Sequence, residues 1–269
     1  MNDIGGCGMG RTHGMSRRRA LGVGLASAAV VPTLLSAGGH AWAASSRAPR
    51  QAPPGEPPMD VVWTTDFTNG WDGWEDTPWN DQPQGEVERP TVVASPLGQG
   101  QSGRFHLDGG QQRNESQPEA AQSIGEGDVL VVRFTDYLEE GFPVDTDDWQ
   151  IVLQFKNDGE GSPPCEIKIG HGVYALDGNS GAWSHDIGPA ITGEPVDIAV
   201  RIIFSADPAV AAMDAWHNGT QTLTGAKPEG AGTLYEGLGS YLKTGLYRDS
   251  AISEAGTRYL DSLTIGTPA

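Results

Sequence analysis

Trp149-Gln-Ile-Val-Leu-Gln-Phe-Lys156 reads as a β-strand with two unlike faces. Side chains on a strand point alternately to opposite sides, so Trp149, Ile151, Leu153 and Phe155 form one apolar face. Gln150, Val152, Gln154 and Lys156 form the other, which puts Gln154 and Lys156 off the side away from the core. Tyr241-Leu-Lys-Thr-Gly-Leu-Tyr-Arg248 repeats the theme. Its odd positions Tyr241, Lys243, Gly245 and Tyr247 share one face, and Leu242, Thr244 and Leu246 share the other. Two strands that each present polar, basic and aromatic groups from one side suit a sheet with one buried face and one sugar-binding face.

The same short period runs through most of the chain. Stretches rich in β-branched and aromatic residues, parted by Gly, Pro, Asn and Asp clusters, predict further strands over 61–67, 91–94, 103–107, 128–137, 165–169, 196–204, 213–217 and 258–265. Asn218-Gly219 is the strongest hairpin signal, because both residues tolerate the positive φ of a tight turn. Helical periodicity is nearly absent, with a hint of one helical turn over 208–213. Many short strands of this kind imply an all-β sandwich or jelly roll.

The N-terminal 43 residues have another character. Arg17 and Arg18 follow Ser16, a mildly apolar run spans 21–37, and Ala41-Trp42-Ala43 has the form of a cleavage site. That order of charged, apolar and small-residue regions is an export signal, and the adjacent arginines favour the twin-arginine route to a periplasmic or secreted location. Gly22, Gly24 and Pro32 make the run a poor membrane span. Residues 44–60, rich in Pro, Ala and Ser, read as a solvated linker, and 61–269 as one domain.

Loss of residues 1–43 would remove four basic side chains (Arg11, Arg17, Arg18, Arg19) and one acidic one (Asp3), leaving 13 basic and 34 acidic residues at −21. Such a surface repels nucleic acid and anionic lipid, so neither is expected as a partner. A polyanionic sugar could bind only where cations gather in one groove. Cys7 leaves with the signal and Cys165 stays alone, so burial and not a disulfide must hold the domain. The chain reads as a monomer.

Four pieces, in order, resemble the jelly-roll polysaccharide lyases. Tyr241 to Arg248 resembles their Tyr-Phe-Lys-x-Gly-x-Tyr strand, and Trp149 to Lys156 their tryptophan-to-glutamine strand. Arg113-Asn-Glu115 resembles their Arg-x-Glu strand, and Asp214-Ala-Trp-His-Asn-Gly219 a late hairpin. The likeness is greatest to the heparin lyase I and glucuronan lyase type, with alginate lyases more distant. It implies a β-jelly roll, a concanavalin-like sandwich of two antiparallel sheets whose concave groove cleaves uronic-acid polymers by β-elimination. A base must take the C5 proton, an acid must protonate the departing O4, and donors must neutralise the uronate carboxylate. The resemblance gives Tyr247 the proton-transfer role and Gln154 the carboxylate. Arg113 is the second donor, since its planar fork suits a carboxylate, and Glu115 orients it. Many relatives carry histidine where this chain has Lys156, a residue that can neutralise a carboxylate but is a poor base at neutral pH. Lys243, Arg248, Tyr241 and His171 are the expected substrate contacts.

No cofactor is needed for that chemistry. Related jelly rolls often hold a structural calcium ion, for which Asp66 and Asp261 are the candidate ligands. His106, His171, His185 and His217 lack metal-ligand spacing. Two other classes compete. A non-catalytic carbohydrate-binding module could use Trp71, Trp74, Trp79 or Trp183 as its platform. Hydrolysis by paired carboxylates would need a strand pattern of the Glu-x-Asp-x-x-Glu kind, and none is present.

Overall fold

The structure is a computed structural model that describes residues 55–75 and 87–269. Residues 1–43, expected to be an export signal, most of the expected linker and Trp79 lie outside the described residues. Within them there are strands and turns and no helix, and no helix is long and apolar enough to cross a membrane.

The larger sheet runs β12 (Thr220–Ala226), β11 (Ala212–His217), β10 (Pro195–Ile203), β5 (Val129–Leu138), β14 (Gly256–Pro268), β3 (Gln101–Leu107) and β2 (Thr91–Ala94), with β1 (Met59–Thr65) on the second half of β14. The smaller sheet runs β4 (Arg113–Ser116), β13 (Ser240–Arg248), β6 (Gln150–Asn157), β7 (Cys165–Gly170), β8 (Val173–Gly178) and β9 (Trp183–Pro189). Every ladder between these strands is antiparallel, and the two sheets face each other as a β-jelly roll. Phe105, Val132, Phe134 and Leu263 of the larger sheet share one core with Leu153, Phe155, Ile167, Leu242 and Leu246 of the smaller. Each such side chain stabilises the fold by about 1.5–3 kcal/mol. Cys165 is buried among them as a free thiol.

Asn218 and Gly219 make the tight turn between β11 and β12, at φ 50° and 77°. The hinted helical turn over 208–213 is a short turn running into β11. Strands β8, β9 and β12 were not legible in the sequence. In the case of β12 the cause is an edge position, where Thr and Gln face water and no apolar alternation is needed. The last residues of the expected linker are tied to the larger sheet. Glu56 pairs with Arg133 Nε at 2.8 Å, the Pro57 carbonyl accepts from Arg133 Nη2, and β1 already begins at Met59.

One irregularity shapes the smaller sheet. β6 has one residue more than β7 between Ile151 and Leu153, and β13 one more than β6 between Thr244 and Tyr247. Val152 and Leu153 therefore both turn into the core, and the alternation of β6 changes phase at that point. Carbonyls displaced by the bulge are taken up by Arg258, a fully buried residue of β14. Its Nη1 lies 2.7 Å from Val152 O, 2.9 Å from Gly245 O and 2.9 Å from Thr244 Oγ1. Asp136 of β5, also fully buried, neutralises it with contacts of 2.9 and 2.7 Å. Burial pushes the Asp136 carboxyl up and the Arg258 charge opposes that. This pair ties the larger sheet to the bulge from inside the sandwich.

Candidate active site

On the outer face of the smaller sheet lies a cleft of about 480 Å³. Its floor follows from register. One cross-strand row runs Lys243, Gln154, Glu166, Asp177 and Ser184 over β13, β6, β7, β8 and β9. A second runs Arg113, Tyr247, Ile151, Lys168 and Ala175 over β4, β13, β6, β7 and β8. Side chains on such rows stand about 5 Å apart and act together. One wall is built by two turns stitched together. Tyr235 Oη lies 2.9 Å from both Ser162 O and Asn179 Oδ1, and the Ser162 and Ser180 hydroxyls are 2.6 Å apart.

Glu115 is the hub beneath the cleft. It is only 1% exposed, yet three donors converge on it. Arg113 Nε and Lys243 Nζ each lie 3.4 Å from its Oε2, and Gln154 Nε2 donates to its Oε1. Glu115 can sit there because Gly245 faces it directly across the ladder. At φ 144° Gly245 holds a backbone that favours glycine, and a Cβ would meet Asn114 O at 2.3 Å and Glu115 Cα at 2.6 Å. The glycine between Lys243 and Tyr247 thus lets β4 approach closely enough to deliver Arg113 and Glu115.

Arg113 reaches from this hub over Tyr247, with its guanidinium carbon 3.9 Å from the ring centroid. Trp149 packs its ring against Tyr247 from the side at 4.6 Å. The tyrosine is thereby held between a cation and an indole. Arg113, Gln154, Lys156 and Tyr247 all line the cleft, the last three on the strand faces that alternation predicts. Trp149 and Ile151 line it as well, against the expectation that they enter the core. The bulge at Val152 is the reason, since it reverses which residues of β6 point outward.

Other expected contacts are placed differently. Lys243 is 2% exposed and lies under the floor against Glu115; burial lowers its pKa, and Glu115 opposes only part of that. Lys156 is also lowered, by burial and then by the Lys243 and Arg113 charges, and its Nζ is tied to Asn157 Oδ1 at 2.7 Å and Gly159 O at 2.8 Å. Tyr241 is half-buried across from Lys156 and does not line the cleft; burial, then Glu115, raises its pKa.

Arg248 is not a substrate contact. It follows Tyr247 directly, so strand alternation turns it to the opposite face, where it is fully buried. Its guanidinium donates to the carbonyls of Gln111 (3.3 Å), Leu107 (3.3 Å), Asp108 (2.9 Å) and Glu254 (2.9 Å). Burial lowers its pKa to about 10. These bonds anchor the turn that leads from β3 into Arg113.

His171 sits at positive φ (51°) between Gly170 and Gly172, exposed, 3.4 Å from Asp147. It lines a second cleft of about 330 Å³ that shares Trp149, Lys168, Asp177 and Gly181 with the first. Asp261 accepts from Ser95 at 2.5 Å and Ser102 at 3.1 Å, while Asp66 accepts from the Thr68 amide at 3.1 Å. Among the described residues no group of three or more His, Cys, Asp or Glu side chains is arranged for a metal ion. Neither Asp66 nor Asp261 belongs to such a group. Trp74 and Trp183 are buried in the core and Trp71 packs against it, so none of the three offers a sugar platform.

The strand reading missed Glu166, Lys168 and Asp177. Lys168 Nζ pairs with Asp177 at 2.5 Å. Glu166, between Gln154 and Asp177, is pushed up to about 8, first by burial and then by Asp177, against the pull of Lys168. The signal for Glu166 and Lys168 was present, since Cys165, Ile167 and Ile169 alternate with them.

A jelly roll with an aromatic, cationic and carboxyl-lined cleft across one sheet belongs to the class of proteins that act on sugar polymers. A family model described as polysaccharide lyase matches residues 64–264, and the chain belongs to that family: it is an enzyme, a lyase acting on polysaccharides. Among solved structures it is similar to an endo-β-1,4-glucuronan lyase from the fungus Trichoderma reesei, with TM-score 0.56, 14% identity, and 77% of this chain and 96% of that one covered. It is also similar to the cellulose induced protein Cip1, with TM-score 0.52, 14% identity and coverage of 76% and 96%. A family 7 alginate lyase, A1-II′, solved with a product, gives 0.50, 14%, 68% and 85%. At such identities the likeness is one of fold. No curated protein matches the chain.

Proposed function

We propose that this lyase is exported by the twin-arginine route and cleaves a uronic-acid-containing polysaccharide by β-elimination, leaving 4,5-unsaturated uronate ends. The observation that carries the reading is the convergence of Tyr247, Arg113 and Gln154 on one cleft above the Glu115 hub. Gln154 has a second amide N–H beyond the one given to Glu115, and with Arg113 it can take the uronate carboxylate. Charge that develops on that carboxylate as C5 loses its proton then meets donors already in position. Tyr247 Oη takes the C5 proton, the C4–O4 bond breaks as the C4–C5 double bond forms, and Oη passes a proton to the departing O4, so that the tyrosine ends the cycle in the protonation state in which it began. The export reading rests on Arg17-Arg18 and Ala41-Trp42-Ala43. Because the exported chain is strongly acidic, long-range repulsion favours a less charged polyuronate such as glucuronan over sulfated heparin.

The test is incubation with glucuronan, alginate, hyaluronan, heparan sulfate and heparin, read by ultraviolet absorbance of the conjugated double bond. Tyr247→Phe should keep the fold and lower turnover by about a hundredfold or more, the scale of a lost acid–base group. New reducing ends without absorbance would mean hydrolysis, and parent-level turnover in Tyr247→Phe would remove Tyr247 from the mechanism.

A further inference from the structure

The elimination described above makes no use of Glu166, although its side chain occupies the middle of the cleft floor. Cys165, Ile167 and Ile169 of β7 enter the core, which turns Glu166 outward between Gln154 on one side and Asp177 on the other. The residue is 6% exposed, and among the described residues its buried Oε2 has no hydrogen-bond partner. The cation on its own strand, Lys168, is engaged by Asp177. From β8 it faces Asp177 and from β4 Glu115, both negative; Lys156 and Lys243 flank Gln154 on the far side, and the Tyr235 phenol faces it from the loop before β13.

A carboxylate buried here without donors would be strongly disfavoured, and the favourable state is the neutral acid. A neutral carboxyl group has an O–H to donate. No described side chain or carbonyl takes that hydrogen bond, which leaves it open to a group held in the cleft.

We propose that Glu166 is a neutral carboxylic acid that donates its O–H to the carboxylate of the uronate held on Gln154. The inference rests on the uronate reading above and makes Glu166 a specificity-determining residue. Gln154 and Glu166 form a pair of uncharged donors that bracket an anion, so the cleft floor recognises a carboxylate without adding another cation. Ionised Glu166 would have no proton to give and would repel the same group. Binding is therefore present while Glu166 holds its proton and is lost as pH rises through its pKa, which burial and Asp177 have moved from 4.5 to about 8.

The experiment is calorimetric binding of a β-1,4-linked glucuronate oligomer to the Tyr247→Phe protein, whose slowed turnover spares the oligomer during the titration, at pH 7 and pH 9. A group titrating at about 8 is almost fully protonated at the first pH and about tenfold less so at the second. The affinity should fall by about tenfold. Glu166→Gln keeps a donor at every pH, and its affinity should no longer change over this range. Glu166→Leu should bind more weakly than the parent at pH 7, and equally at the two pH values. Lys156 and Lys243 are also lowered by burial and their charges bear on the same cleft, so the fall belongs to Glu166 only if Glu166→Gln removes it.

A pH-dependent fall that persists in Glu166→Gln overturns the proposal. So does equal affinity at the two pH values without any Glu166 substitution, which decides the matter even if neither variant folds. Absence of binding at both pH values overturns it too. Unsaturated ends made by the parent enzyme together with pH-independent binding would overturn the Glu166 role and leave β-elimination standing. The expected pH-dependent binding without unsaturated ends would do the reverse.

Discussion

Replacing Glu115 by glutamine keeps the shape of the hub and removes its charge. Arg113 and Lys243 then lose the carboxylate that both face at 3.4 Å, and Lys243 loses it at a site 2% exposed. Breaking a buried ion pair from one side costs about 3–5 kcal/mol, because a charge is left uncompensated. Two features reduce that figure. Burial already weakens the charged form of Lys243, so less charge stabilisation is lost there, and Gln154 can still donate to the new amide oxygen. The expected loss is therefore about 2–4 kcal/mol, which for a domain of this size lowers Tm by roughly 5–15 °C. Activity should fall further than stability alone predicts. Arg113 is aimed over Tyr247 by Glu115, and misplacement by about 1 Å is enough to cost about a hundredfold in turnover. Scanning calorimetry and the ultraviolet assay give the two numbers. Adding Lys243→Met should restore part of the lost Tm, since it removes the stranded cation. A Tm unchanged in Glu115→Gln, or no restoration in the double variant, would show that Glu115 does not hold these cations.

Two further outcomes follow from where the structure puts the cations. Arg248→Met should lower Tm by several degrees, because it removes a fully buried donor that serves four backbone carbonyls; a salt-dependent change in KM with no change in Tm would return Arg248 to the cleft. If residues 1–43 are removed, as the proposed export implies, the formal charge is −21, and kcat/KM should first rise with salt, as far-field repulsion is screened, and then fall as the contacts of Arg113 and Lys156 weaken. The Debye length of about 10 Å at 0.1 M separates the two regimes. Lys156→Ala should blunt the high-salt fall, and a steady decline from the lowest salt would rule out any influence of overall acidity on encounter.

Read alone, the sequence determined the all-β architecture, the Asn218-Gly219 turn, and the cleft faces of Gln154, Lys156 and Tyr247. Each of these is a local property: a period of two or a backbone angle that only certain residues adopt, legible wherever a strand keeps its phase. What depends on a second strand was decided only by the tertiary structure. The bulge at Val152 is a mismatch in residue count between β6 and its neighbours, and no pattern within 149–156 reveals it, so Trp149 and Ile151 were read onto the wrong face. Alternation already turned Arg248 away from Tyr247, but what it holds there became visible only with the turn from β3. The Glu115 hub joins Lys243 to a residue 128 positions away. Glu166 lay on a recognisable strand face, yet its proton affinity comes from burial beside Asp177 on the next strand. Charge and burial are fixed by neighbours in space, and a linear reading can name a groove residue without knowing which of its neighbours are charged.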